Sequence, residues 1–215
     1  MAHCPELTGR DAGDPAGPRV LDLRGAVDVP RLLTRGPGER VIVSGLPGSG
    51  KSTLMRRARG AVRLIDSQEV RESWARRLPD RLPYAVYRPA VRVAHYARLW
   101  RALRGPVSVL VHDCGRTSWV RNWLGRDARR RGTAYHLLLL DVSADTALAG
   151  QYERGRAVSG RAFARHRRAM ARLFSEVEAG RLPSGCASVL ILDRSAAGAL
   201  DAIVFGADEP SDSHR

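Results

Sequence analysis

Between Val41 and Thr53 the chain reads VIVSGLPGSGKST, an apolar β-branched run, a glycine-rich turn and a helix start in immediate succession. Val41, Ile42 and Val43 favour a strand. The residues that follow, Gly45-Leu46-Pro47-Gly48-Ser49-Gly50-Lys51-Ser52, satisfy G-x-x-x-x-G-K-[ST], and Thr53 continues into the helix. Glycines let backbone N–H groups turn inward around an anion, and the helix N-terminus adds a favourable potential. A chance match in a chain of this composition is expected roughly once in a thousand sequences, so the motif is read as real. It predicts that residues 45–53 bind a nucleotide, with Lys51 reaching the terminal phosphates and the Ser52 hydroxyl placed to ligate Mg²⁺.

Composition singles out Lys51. The chain is strongly basic, with a formal net charge of +14, yet it contains 35 arginines and only this one lysine. Whatever pressure replaced lysine elsewhere spared the position where a compact, flexible ammonium fits and a planar guanidinium fits poorly. The basic balance favours polyanionic partners, nucleic acid included, but no RNA- or DNA-reading motif accompanies it. Arginine-rich codon usage is an equal explanation. The three cysteines share no ligand spacing, which points to a reducing compartment, with Cys186 as packing. No apolar run is long enough to span a bilayer, so the chain is expected to be cytoplasmic, with no membrane partner.

Residues 1–19 and 207–215 are polar and read as disordered tails around one domain at 20–206. Inside it, short β-rich runs at Val41–Ser44, Val62–Ile65, Val107–Val111, His136–Leu140 and Ser188–Leu192 alternate with helical stretches. That alternation predicts an α/β fold, a parallel sheet covered by helices on both faces. The last four runs are each followed by an aspartate: Asp66, Asp113, Asp141 and Asp193. Ligands in such sheets bind beyond the carboxyl ends of the strands, although aspartate there is also a common helix N-cap. Asp113 and Asp141 compete as the second Mg²⁺ contact.

A helical insert at 68–104 mixes arginines with aromatics. Arg88, Arg92, His95 and Arg98 recur at helical spacing as a basic stripe, and Val93, Tyr96, Ala97, Trp100 and Leu103 form an apolar stripe expected in the core. Pro89 is expected to start the helix, with Tyr84 to Arg88 as a bend. The stretch Gln151-Tyr152-Glu153-Arg154-Gly155-Arg156 precedes a basic helix, Arg161 to Glu178, and residues 150–180 read as a lid and its helix. Arginines in such lids stabilise charge on a transferred phosphoryl group, which makes Arg154 and Arg156 candidates.

The loop VIVSGLPGSGKST, the strand ending in Asp66 followed by Arg71, the strand ending in HDCGRT, and QYERGR together resemble the P-loop kinases grouped with polynucleotide kinase and the zeta toxins. The resemblance covers roughly residues 40 to 195. It implies a three-layer P-loop sandwich with sheet order 2-3-1-4-5, ATP with Mg²⁺ as donor and a hydroxyl-bearing acceptor. It also implies Asp113 as the ligand-facing carboxylate, Arg154 as the lid arginine and Arg71 as the contact to substrate phosphate. One position departs: the general base expected three residues before Arg71 is Gln68, which leaves Asp66 or Glu69 to take the proton. The resulting expectation is an ATP-dependent phosphotransferase with Lys51, Asp66, Asp113 and Arg154 as catalytic residues, Ser52 and Asp113 at the metal, and Arg71, Arg88 and Arg92 facing an anionic or hydroxyl-bearing acceptor. The alternative is a nucleotide-binding regulator or slow ATPase with no acceptor.

Overall fold

A computed structural model describes residues 19–79, 81–113, 118–153 and 159–206. The described elements begin with β1 (Arg19–Asp22), β2 (Leu32–Arg35), β3 (Arg40–Gly45), α1 (Lys51–Met55), β4 (Ala58–Gly60) and β5 (Val62–Ile65). There follow α2 (Ser67–Ala75), α3 (Tyr84–Arg104), β6 (Ser108–Asp113), α4 (Ser118–Arg131) and β7 (Tyr135–Leu140). The chain then runs through α5 (Ala144–Tyr152), α6 (Gly160–Glu178), β8 (Ser188–Leu192), α7 (Arg194–Ala199) and β9 (Ala202–Phe205).

Six strands pair in one parallel sheet of order β1-β8-β7-β3-β6-β5. The five strands foreseen in the sequence are β3, β5, β6, β7 and β8, and their spatial order is the expected 2-3-1-4-5. The additional strand β1 pairs with β8 at one edge. A second sheet was not foreseen. Its strands β2, β9 and β4 are also parallel.

The period-two alternation of side chains divides the core between the two faces of the large sheet. Ile42, Val111, Leu137 and Leu139 point into one apolar layer with Leu99 of α3, Leu124 of α4 and Phe163 and Met170 of α6. Val41, Val43, Leu138 and Leu140 point into the other with Leu54 and Met55 of α1, Ala196 of α7 and Ile203 and Phe205 of the small sheet. Helices therefore cover one face, while α1, α7 and the small sheet share the other. Leu137, Leu138 and Leu139 are wholly buried, each contributing about 1.5–3 kcal/mol of transfer free energy. No described helix is long and apolar enough to cross a membrane.

Helix α3 corrects two expectations. It runs unbroken from Tyr84 with Pro83 as its N-cap at φ −60°, so Pro89 lies inside the helix and Tyr84 to Arg88 is not a bend. Pro83 already stiffens the approach to the helix, and Pro89 sits on the exposed side of the second turn, where it forgoes one i→i−4 hydrogen bond. The buried stripe is partly rotated from the one expected: Leu103 is buried and Tyr96 packs against the core as expected, but Val91, His95, Leu99 and Ala102 also face inward, whereas Val93 and Trp100 are 69% and 46% exposed. His95 thus belongs to the core-facing side and not to the basic stripe, because i, i+4, i+8 and i+11 share one helical face.

Candidate functional site

Strand β3 delivers the glycine-rich loop to the carboxyl edge of the sheet, and α1 leaves from it. Within the loop the Ser49 N–H donates to the Leu46 carbonyl at 3.1 Å, while Thr53 and Leu54 N–H groups close onto the Gly50 carbonyl. Gly50 is the N-cap of α1 at φ 94° with no side-chain cap. Gly48 has φ +91°, and a Cβ there would lie 2.0 Å from the Ala147 carbonyl oxygen, so only glycine lets the loop pack against α5. Gly150 of α5 is also tightly approached: a Cβ at that position would lie 2.7 Å from the Gly48 carbonyl oxygen. Gln151 Nε2 donates to the Pro47 carbonyl at 3.1 Å. Helix α5 is therefore the wall that fixes the loop's shape.

Lys51 is 3% exposed, and its ammonium donates to the carbonyls of Gly45 at 2.8 Å and Leu46 at 2.6 Å. The sole lysine of the chain thus rests inside the loop, held by backbone dipoles, where a cation is available to phosphate oxygens. A glycine-shaped loop, a helix N-terminus and a buried ammonium together fit a nucleotide's phosphates.

Beside the loop lies a cavity of about 300 Å³ lined by Ser52, Met55, Arg56 and Leu64 and by Asp66, Gln68, Glu69 and Glu72. Asp66, 8% exposed, follows β5 and caps α2, its Oδ1 accepting from the Gln68 N–H at 2.8 Å. The hydroxyl of Ser52 and the carboxylates of Asp66 and Glu69 share this cavity, an all-oxygen donor set of the kind Mg²⁺ takes when substrate phosphates and water complete its shell. Among the described residues no group of three or more His, Cys, Asp or Glu side chains is arranged to hold a metal. Asp113 ends β6 directly across from Ser44 of β3 and is buried; its Oδ2 accepts from Ser44 Oγ at 3.4 Å and from Arg121 Nη1 at 3.1 Å. It does not line the cavity that holds Ser52.

Two buried histidines stand between these carboxylates. His112 Nδ1 is 3.2 Å from Ser67 Oγ and 4.0 Å from Asp66 Oδ1. Burial, with the neighbouring Lys51 ammonium, pushes the His112 imidazole down to about 3 against the opposing pull of Asp66. His95 is likewise lowered by burial, opposed by Asp66 and Asp113. Both rings are therefore neutral at physiological pH.

Of the residues anticipated from sequence, the structure brings Lys51, Ser52, Asp66 and Asp113 to one sheet edge. Arg71, Arg88 and Arg92 are exposed on α2 and α3. Arg154 and Arg156 lie outside the described residues, as does Cys114. Asp141 is ion-paired with Arg24 at 2.8 Å, and Asp193 caps α7. Cys186 is buried, its thiol pushed up to about 12 by burial. Sequence reasoning missed the α5 wall and the histidine pair. The only sequence signal for the wall was the small residues Ala147 and Gly150 at helical spacing ahead of Gln151, and for His112 its place one residue before Asp113.

This arrangement, a parallel sheet of order 2-3-1-4-5 with a lysine-bearing glycine loop at its carboxyl edge, is the P-loop α/β fold of nucleotide-binding proteins. Residues 41–178 match the AAA domain family, and the chain belongs to it. Among solved structures, a chain of the PezAT chromosomal toxin–antitoxin system of Streptococcus pneumoniae is similar at 14% identity and a TM-score of 0.52, over 74% of this chain and 70% of that one. The tunicamycin resistance protein of Deinococcus radiodurans matches at 14% identity and a TM-score of 0.38, over 65% of this chain and 81% of that one. A sugar kinase from Janibacter matches at 20% identity and a TM-score of 0.35, over 74% and 87%. No curated protein matches the chain.

Proposed function

We propose that this chain is an ATP-dependent phosphotransferase acting on an acceptor hydroxyl. The single observation that carries the reading is the cavity beside the loop, which joins Ser52 of the P-loop to the carboxylates of Asp66 and Glu69. The carboxylates there are placed both to serve the metal of a bound nucleotide and to receive the proton of an acceptor hydroxyl. In this reading Gly45, Leu46, Pro47, Gly48, Ser49, Gly50, Lys51, Ser52 and Thr53 hold the phosphates. Ser52, with Asp66, Glu69 or Asp113, holds Mg²⁺, which neutralises phosphate charge when bound. Asp66 orients the acceptor hydroxyl and takes its proton, and Lys51 and Arg154 stabilise charge on the transferred group. Arg71, Arg88 and Arg92 remain the candidates for an anionic part of the acceptor. Positioning and electrostatics supply most of the catalysis in such transfers, so little covalent help is required of the protein. The compartment is the cytoplasm. The second reading, a nucleotide-binding regulator or slow ATPase, draws on Gln68 at the position where the resemblance places the base.

The test is MgATP binding by calorimetry in Lys51→Ala. Removing the buried ammonium is expected to weaken binding by about 30-fold or more, from the ~2–5 kcal/mol cost of truncating a buried charged partner. Unchanged affinity defeats the assignment of the loop. Phosphate release with no transfer to any hydroxyl compound favours the second reading.

A further inference from the structure

Helix α3 is apolar on two faces, and only one of them is covered. Val91, His95, Leu99 and Ala102 turn to the core, whereas Val86, Val93 and Trp100 lie on the opposite side, 62%, 69% and 46% exposed. These three recur every seven residues, which is almost two full turns of an α-helix, so they stand in one line about 21 Å long. Pro89, exposed, lies on the line between the first two and Ala97, half-buried, between the last two, so no charged side chain interrupts it. Single exposed apolar residues need no explanation, but an aligned row rimmed by charge marks an interaction surface.

The rim is all of one sign. Helix α3 carries Arg88, Arg92, Arg98, Arg101 and Arg104, every one exposed, and no aspartate or glutamate. At about 100° per residue, Arg92 falls to one side of the line and Arg98 and Arg101 to the other. Arg104 ends it, its guanidinium carbon 3.6 Å from the centroid of the Trp100 ring. The stacked pair has an apolar body and a charged tip, which suits a boundary between hydrocarbon and phosphate.

We infer that the outer face of α3 is a docking surface for an anionic phospholipid membrane, on which the helix lies with Val86, Val93 and Trp100 in the headgroup boundary and its arginines on lipid phosphates. Charge complementarity decides the occupant. A second copy of this chain would bring the same five arginines against these five. A protein partner would need carboxylates fixed on both sides of the row, at the uneven spacing of Arg92, Arg98, Arg101 and Arg104. Anionic lipids are mobile and gather at arginines wherever these stand. An interfacial helix needs apolar side chains on one face with basic residues beside them, not a spanning length. The expectation of no membrane partner rests on spanning length alone and does not bear on a helix lying in the interface.

The experiment is co-sedimentation of the full chain with vesicles of phosphatidylcholine and phosphatidylglycerol in equal parts, against vesicles of phosphatidylcholine alone. Binding to the anionic vesicles is expected, with binding to the neutral ones at least about tenfold weaker. Val93→Ser/Trp100→Ser leaves the charge unchanged and is expected to lose about tenfold or more in partitioning, while MgATP affinity stays the same. Arg101→Gln/Arg104→Gln is expected to lose about as much. Arg59→Gln/Arg194→Gln removes the same charge from the other face of the sheet, where both arginines are exposed, and is expected to change partitioning less than about threefold. No binding to the anionic vesicles, or equal binding by wild type and Val93→Ser/Trp100→Ser, overturns the proposal. Equal loss in the two arginine pairs also overturns it, because the attraction is then one of net charge and not of this face. A dimer in sedimentation velocity that Val93→Ser/Trp100→Ser dissociates, with no vesicle binding, gives the face to a second copy instead.

Discussion

The two ends of the same parallel sheet bury charge in different settings. At the amino end Arg40 is wholly buried, and its Nε donates to Asp127 Oδ2 at 3.0 Å while its Nη1 reaches the carbonyls of Gly38 and Val107. Asp127 also accepts from Arg131 at 3.3 Å, and His136 bonds Ser188 at 2.7 Å and lies 3.0 Å from Glu39. Arg40 meets its countercharge in Asp127 inside the protein. At the carboxyl end the Asp113–Arg121 pair is closed in the same way at 3.1 Å, but Lys51 donates to the Gly45 and Leu46 carbonyls and Asp66 accepts from the Gln68 N–H beside a glycine loop and a cavity. What sets this end apart is the space next to its charges, where a polyanion with its counterion can enter.

The sharpest way to break this contrast is Asp66→Asn. Asparagine caps a helix as well as aspartate, so urea unfolding is expected to change little, while phosphoryl transfer falls by about 10²–10⁴. Equal activity would leave Asp66 a cap and nothing more. At the opposite end Asp127→Ala strands Arg40 and is expected to cost about 3–5 kcal/mol in urea unfolding, with MgATP affinity of the folded protein untouched. Loss of affinity there would dissolve the division between the two ends. Gly48→Ala drives a Cβ into the Ala147 carbonyl and is expected to cost about 3 kcal/mol, the upper range for overpacking, and to weaken nucleotide binding as well.

The smallest effect concerns pH. His112 titrates near 3 when folded and near 6.5 when unfolded, so the unfolded chain binds the extra proton first. Its contribution to stability is complete above pH 6.5 and is lost as pH falls towards 3. Between pH 6.5 and 5 the loss is expected to reach about 2 kcal/mol, and His112→Asn should flatten that part of the urea-stability profile. An identical acid limb in both proteins would show that His112 is not the group responsible.

Much of the carboxyl end was legible because its chemistry is local. The loop from Gly45 to Thr53 writes its backbone requirements into consecutive residues, and the strand runs ending near Asp66 and Asp113 carry their own hydrophobic signal. Sheet order followed from the resemblance, and the register then brought Ser44 opposite Asp113. What stayed illegible was set by contacts distant in sequence. The short strands β1, β2, β4 and β9 have three or four residues each, too few for a periodic signal, and pair with partners far along the chain. The face of α3 was misread because Val91 and Val93 are equally apolar, and only the packing of α3 against α2 and the sheet decides that Val91 turns inward. His95 looked basic by composition, and burial makes it neutral.

The small sheet bears on how the protein comes to exist. Helix α1 is only five residues long and leads through a two-residue turn into β4, whose pairing partner, β9, lies some 140 residues later. Gly60 at the end of β4 is pressed so closely on Phe205 that a Cβ would lie 2.1 Å from its carbonyl oxygen. The anchor of the phosphate loop's helix is therefore among the last described segments to leave the ribosome. At about 5–20 residues per second, the interval between synthesis of the loop and synthesis of its anchor is roughly ten to thirty seconds, during which α1 has an apolar face without its cover. The nucleotide site is in this sense a late product of translation: its motif is written early and waits for β9 to close over it.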